Sequence, residues 1–191
     1  YDKYAYCALA SSETNCKEFL RPYLAEAVAS VCGDDVELCA VCVAKGMEFL
    51  NAPYETIQKV TEDLVRSDGE RYCFSKSQEE VDTLLWEAQL KYVFPLVENY
   101  RRYFVKKYYA FIKAALPINN GYGDQVMVPE EAELGNLMYL VERGGIPVSA
   151  EESMELKRYR KARNELAHMN LLSNEELCVI LKAGKHKTAS D

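Results

Sequence analysis

The chain has 191 residues, 49% of them apolar, and a formal charge of −7 at pH 7. That length suits one well-packed domain, about 100–200 residues being usual, and the apolar content excludes an intrinsically disordered chain. No apolar run reaches the roughly 18 residues of a membrane-spanning helix, so a soluble protein without membrane association is expected.

The first residue is Tyr1, with no charged segment, apolar run and cleavage site around it. The chain therefore reads as a fragment of a longer protein, whose upstream segment would be a partner. Residues 1–15 show no clear period and are expected to form an extended arm or a loose helical turn. Pro22 suits the first turn of a helix over 23–31, which Gly33 can close. Residues 34–50 place Val36, Cys39, Val43, Met47 and Leu50 at three- and four-residue steps, as a central core helix would. Pro53 opens another helix over 54–66, ended by Ser67-Asp68-Gly69.

Ser77–Leu116 is the longest helical stretch. Ser77 and Glu80 have the spacing of a capping box, in which hydroxyl and carboxylate satisfy orphaned backbone donors. Val81, Leu84, Leu85, Ala88 and Tyr92 mark the inner face. Pro95 lacks an amide proton and should kink or break the helix near 93–95. The run PINNGYGDQVMV, 117–128, is rich in turn formers and reads as a loop. Pro129 then opens a helix to Arg143, closed by Gly144-Gly145. Further capping boxes at Ser149/Glu152 and Ser173/Glu176 open the last two helices, the final one ending near Ala183. His186 and its neighbours in 185–191 read as tail. Few windows alternate with period two, so the fold class is all-α, a single bundle of about six or seven helices.

Seven cysteines occur at irregular spacing. Without an export signal they imply reduced thiols and a cytoplasmic location. Cys39-Ala-Val-Cys42 invites a zinc or redox reading, but Cys32, Cys39 and Cys42 fall on one helical stripe, where buried cysteine behaves as a small hydrophobe. No second cysteine pair or nearby histidine completes a tetrahedral set. No metal and no cofactor is assigned.

Charge is concentrated in two segments. Residues 97–113 and 156–168 each carry five Lys/Arg against one Glu, net +4, so everything else sums to −15. Brought together in the fold, they would make a surface that attracts a polyanion while the acidic remainder repels one. In the first segment, Arg101, Arg102, Lys106, Lys107 and Lys113 interleave with six aromatic residues. Exposed rings there could stack on unpaired bases; the favoured alternative is an amphipathic helix with aromatics inward and cations outward.

The second segment holds one of only two histidines in the chain, the side chain that can take and give a proton near neutral pH. On a helix starting near Ala150, Tyr159, Ala162, Leu166 and Met169 recur at three- and four-residue steps and define the buried stripe. Arg160, Asn164 and His168 then share another stripe, with Arg163 beside it. Taken singly, His168 reads equally as a packed histidine or a helix C-terminal cation, Arg163 as a partner of an acidic residue, and Asn164 as an exposed amide.

The hexapeptide Arg163-Asn164-Glu165-Leu166-Ala167-His168, late in an all-α chain, resembles the signature of the HEPN superfamily, an Arg followed by a polar residue and then by His after four to six intervening residues. The resemblance covers residues 77–184, with 1–76 an N-terminal helical portion packing on that bundle and 185–191 a tail. It implies a metal-independent endoribonuclease acting through the RNA 2′-hydroxyl, as in defence or toxin–antitoxin systems, in a homodimer with two motif helices facing each other. His168 would be the acid or base, Arg163 the donor to phosphate, and Asn164 the orienting group. Arg158, Arg160 and Lys161 would hold flanking phosphates, with Arg101, Arg102 and Lys106 as a second RNA-binding patch. The alternative is a non-catalytic helical module that binds a protein, nucleotide or RNA partner.

Overall fold

Ten α-helices and one two-stranded ladder make up the computed structural model, which describes residues 2–119 and 125–188, with side chains of the last helix to Gly184. The all-α expectation holds, with more helices than the six or seven foreseen. No helix among the described residues is long and apolar enough to cross a membrane. The described chain packs as two compact units. One takes the residues up to Tyr92 together with those from Met169 onward, and the other is Val93–His168. The boundary read from the sequence at residue 76 falls inside the first unit.

In the first unit, α1 (Lys3–Ser11) replaces the expected arm: the Asp2 carboxylate accepts from the Ala5 amide and Cys7 is fully buried. Helix α2 (Arg21–Cys32) carries Pro22 in its first turn and ends at Gly33, whose φ is +64°. It is the central helix of this unit, with Tyr23, Leu24, Ala25, Val28 and Val31 all buried. Helix α1 packs closely against it.

The single helix expected over 34–50 is two, α3 (Val36–Ala44) and α4 (Met47–Asn51). Gly46 divides them at φ +54°, and a Cβ there would clash with Asn15 Oδ1. That same oxygen accepts from the Met47 amide, so contact with a distant segment sets the break. Val36, the first residue of α3, is exposed, and Leu38, Cys39, Cys42 and Val43 fill the core. Helix α5 (Pro53–Asp63) starts as expected and stops three residues early, where Val65 pairs with Arg71 across the Ser67-Asp68-Gly69 turn.

Helix α6 (Gln78–Lys107) opens on the Ser77/Glu80 capping box. Where a kink or a break is expected near Pro95, the helix continues as one element. Pro95 and Lys91 are both exposed, so the carbonyl left without its helical donor can take water instead. The break falls at Tyr108, where φ is −107° and ψ 22°, before α7 (Tyr109–Ala114). The first unit is completed by α10 (Asn174–Thr188), capped by Ser173 and Glu176. Gly184 does not end this helix as expected; the side chain of His186 lies outside the described residues. Buried Gln89 ties α6 to the segment before α10: its Oε1 accepts from the Leu172 amide at 2.8 Å, and its Nε2 donates to the Leu172 carbonyl and the Tyr23 hydroxyl, each at 3.2 Å.

In the second unit, the turn-rich segment begins with the strand β1 (Ile118–Asn119), paired antiparallel with β2 (Gln125–Val126); residues 120–124 lie outside the described residues. Pro129 opens a single 3-10 turn, and α8 (Leu134–Glu142) starts five residues later than expected. Its start is a capping box of Glu133 and Asn136. Helix α9 (Ala150–Ala167) begins at the foreseen Ser149/Glu152 box.

All seven cysteines are free. Cys7, Cys32, Cys39 and Cys42 are buried from three helices, and Cys39 donates to the Gly33 carbonyl. Hydrogen bonding to Cys39 together with burial pushes the Cys7 and Cys32 thiols well above their ordinary range. No group of three or more potential ligands among the described residues is placed to hold a metal ion. Cys73 is exposed and Cys178 half-buried. A maleimide reagent should therefore label Cys73 fast and Cys178 more slowly in the folded protein, the other five reacting only in denaturant. Rapid labelling of Cys39 or Cys42 would contradict this packing.

Candidate nucleic-acid interface

Helix α9 is fixed on its inner side. Leu156, Tyr159, Ala162 and Leu166 are buried, and the Tyr159 ring stacks on Tyr100 of α6, with centroids 4.0 Å apart and planes 8° from parallel. At the N-terminus of α9, Glu152 closes the capping box with Ser149, accepts from the Tyr108 hydroxyl at 2.8 Å and pairs with Lys107. The two helices are antiparallel, since residues 100 and 108 of one meet 159 and 152 of the other.

With the inner side set, about 100° per residue places every other side chain. Lys157, Lys161, Asn164 and His168 fall on the face opposite Tyr159, and Arg160 on its flank, a quarter turn from Tyr159. Apart from half-buried Asn164, all are exposed. Arg158 is exposed on one flank. Arg163, near the seam with the core, also reaches solvent, and its Nη1 donates a long hydrogen bond of 3.4 Å to Asn164 Oδ1. Lys157, Arg158 and Arg160 make no ion pair with the described residues. The result is a row of cations with an amide at mid-length and an imidazole at its end.

His168 caps α9, its amide donating to the carbonyls of Asn164 and Glu165. Its imidazole makes no hydrogen bond with the described residues. Met169, expected on the buried stripe, is instead 63% exposed with φ +61°. It adopts the left-handed conformation that ends a helix, so the stripe stops at Leu166 and extends back to Leu156. Lys157, not among the sequence-derived site residues, belongs to the row because it lies four residues before Lys161.

The second basic segment divides. Tyr100, Phe104 and Tyr108 are buried, whereas Tyr103, Tyr109 and Phe111 are exposed at 47%, 41% and 46%. The expectation of aromatics inward and cations outward therefore holds for half of the rings. Arg101 is engaged in structure: Nε and Nη2 donate to Glu98, and Nη1 donates to the carbonyls of Glu130 and Ala132. Arg102 also donates to Glu98. These guanidinium groups, Arg101 foremost, hold the Glu98 carboxyl down to about 2. Lys106 is exposed and makes no ion pair with the described residues.

The first unit holds an open groove of about 560 Å³ lined by Gln78, Glu79, Asp82, Trp86 and Met169. Burial, reinforced by Glu55, pushes the Asp82 carboxyl up. Two carboxylates and no cation line this groove, which disfavours phosphate.

No family model matches the chain, and no curated protein or solved structure is similar to it.

The Glu152 anchor can be tested directly. Lys107, then the Ser149 amide and the Tyr108 hydroxyl, lower its carboxyl from 4.5 to about 2. A depressed carboxyl favours the folded state fully above pH about 4.5, and the contribution disappears as pH falls toward 2. Glu152→Ala should lower stability by about 1–2 kcal/mol at pH 7 through loss of the cap and the Tyr108 bond, with a smaller difference at pH 3. Urea melts at both values measure it; equal stability of variant and parent at pH 7 would contradict the anchor.

Proposed function

We propose that the outer row of α9 binds the RNA backbone and that the chain is a metal-independent endoribonuclease of the type its Arg163–His168 motif resembles. The observation that carries this reading is the exposure of His168 at the end of the row Lys157, Arg160, Lys161, Asn164. An imidazole beside exposed cations can meet a phosphodiester without rearrangement of the core.

The chemistry is an internal transesterification. The ribose 2′-oxygen attacks phosphorus as a base removes its proton. The bond from phosphorus to the 5′-oxygen breaks, and an acid protonates that leaving oxygen. The products are a 2′,3′-cyclic phosphate and a 5′-hydroxyl. His168 serves one proton transfer, and Arg163 neutralises the charge that builds on the phosphorane oxygens. Asn164, half-buried and contacting Arg163, orients it. A second His168, brought by a two-fold copy, serves the other transfer. Two such rows repel each other in the absence of an anion, so the polyanion between them is what favours their approach. The requirement for a 2′-hydroxyl selects RNA over DNA without any base being read.

In EDTA, the protein should cut single-stranded RNA to ends bearing 2′,3′-cyclic phosphate and leave DNA of the same sequence intact. His168→Ala should reduce the rate at least about 100-fold, with its circular dichroism spectrum unchanged. Undiminished cutting by that variant would overturn the assignment. RNA binding without any cutting by the parent would leave the non-catalytic reading in its place.

A further inference from the structure

The exposed rings at the junction of α6 and α7 form a face distinct from the α9 row. Lys107 Nζ lies 6.0 Å from the Tyr103 ring centroid and 5.3 Å from that of Tyr108, and Phe111 is 6.5 Å from Tyr108. Tyr103 and Phe111 thus flank Tyr108 with its overlying cation, while Tyr108 itself is buried. Helix α7 buries only Ile112 among its six residues, so it presents Tyr109, Phe111 and Lys113 to solvent. Lys106 is exposed on the same arc of α6 as Tyr103. Carboxylates are present too: Glu152 on Lys107, and half-buried Glu98 further back on α6, where Arg101 and Arg102 already engage it.

Burial of one aromatic set already completes the core of this unit. The rings left outside are each more than 40% exposed; Lys107 lies against Tyr103, and Lys106 and Lys113 are exposed on the same two helices. Flat π-faces beside cations are what a single-stranded nucleic acid engages, its bases stacking while its phosphates meet the charge. A duplex keeps its bases stacked on one another and offers these rings nothing.

We propose that Tyr103 and Phe111, with Lys106 and Lys113, stack unpaired bases of the RNA whose backbone the α9 row holds, making single-stranded RNA the substrate class. The inference rests on the reading of α9 as an RNA-directed face. Because α6 and α9 are antiparallel, Tyr103 and His168 are about 20 Å apart along the helix axes at a rise of about 1.5 Å per residue. The row faces away from α6, so a strand joining it to the rings must also pass around α9, and several nucleotides of extended strand span that path. The bases held here would thus lie away from the scissile bond and select for strandedness rather than sequence.

The test is fluorescence anisotropy with the full chain and a fluorescein-labelled 2′-O-methyl oligouridylate, which has no free 2′-hydroxyl and stays intact. The same labelled strand annealed to its complement is the second probe. The double variant Tyr103→Ala/Phe111→Ala should bind the single strand at least about tenfold more weakly and the duplex within about twofold of the parent. Tyr103→Trp/Phe111→Trp, which keeps the stacking faces, should retain single-strand affinity, separating lost stacking from lost folding. Unchanged single-strand affinity in the alanine variant, or equal loss on both probes, would overturn the inference. Lys157→Glu/Arg160→Glu tests the reading beneath it. Loss on both probes there, with the alanine variant unaffected, keeps α9 and removes the stacking face. The opposite pattern keeps the stacking face and removes α9 as the backbone site. Failure of the parent to bind either probe removes both.

Discussion

The stack of Tyr159 on Tyr100 is the constraint on which the interface depends. A ring pair at 4.0 Å, nearly parallel and buried on both sides, fixes the rotation of α9 about its own axis. Glu152, held by Ser149, Tyr108 and Lys107, fixes where the helix begins. Rotation and start together determine that Lys157, Arg160, Lys161, Asn164 and His168 face away from the core. Turning α9 by half a revolution would carry Lys157, Lys161, His168 and the Asn164 amide into the core at a cost of several kcal/mol each. Outward presentation of the cations is therefore a consequence of how the opposite side packs.

Charge gives the arrangement its direction. The chain is acidic overall, yet both of its basic segments lie in the unit spanning residues 93–168. Within that unit the two segments serve different ends. Arg101 and Arg102 are drawn to Glu98 and, for Arg101, to backbone carbonyls, and they organise the fold. Lys157, Arg160 and Lys106 are exposed and make no ion pair with the described residues. Engagement by the fold, more than position in the sequence, separates a structural cation from one available to a ligand.

Much of the local structure was legible in the sequence because its causes are local. The boxes at Ser77, Ser149 and Ser173 each join a hydroxyl to a carboxylate three residues on, and all three appear as expected. The row of Arg160, Asn164 and His168 followed from helical spacing alone. What escaped the sequence has causes that lie far along the chain or act on the backbone. Gly46 breaks a helix because Asn15 occupies the space beside it. Arg101 is unavailable because the distant carbonyls of Glu130 and Ala132 accept its protons. Met169 leaves the apolar stripe because α9 ends at Ala167 with His168 as its cap, a backbone event that hydrophobic period does not report. Pro95 left two outcomes open, one helix or two, and a proline with its orphaned carbonyl near solvent leaves the helix unbroken. The exposure of Tyr109 and Phe111 follows the backbone break at Tyr108, which helical period does not report.

The central claim is that the imidazole at the end of α9 meets RNA. Its most direct test is the ring C–H signals of His168, assigned by their loss in His168→Gln, during titration of the full chain with a 2′-O-methyl oligoribonucleotide. The account predicts that these signals shift progressively and saturate with the bound fraction. Binding that saturates while the His168 signals stay where they were would contradict it.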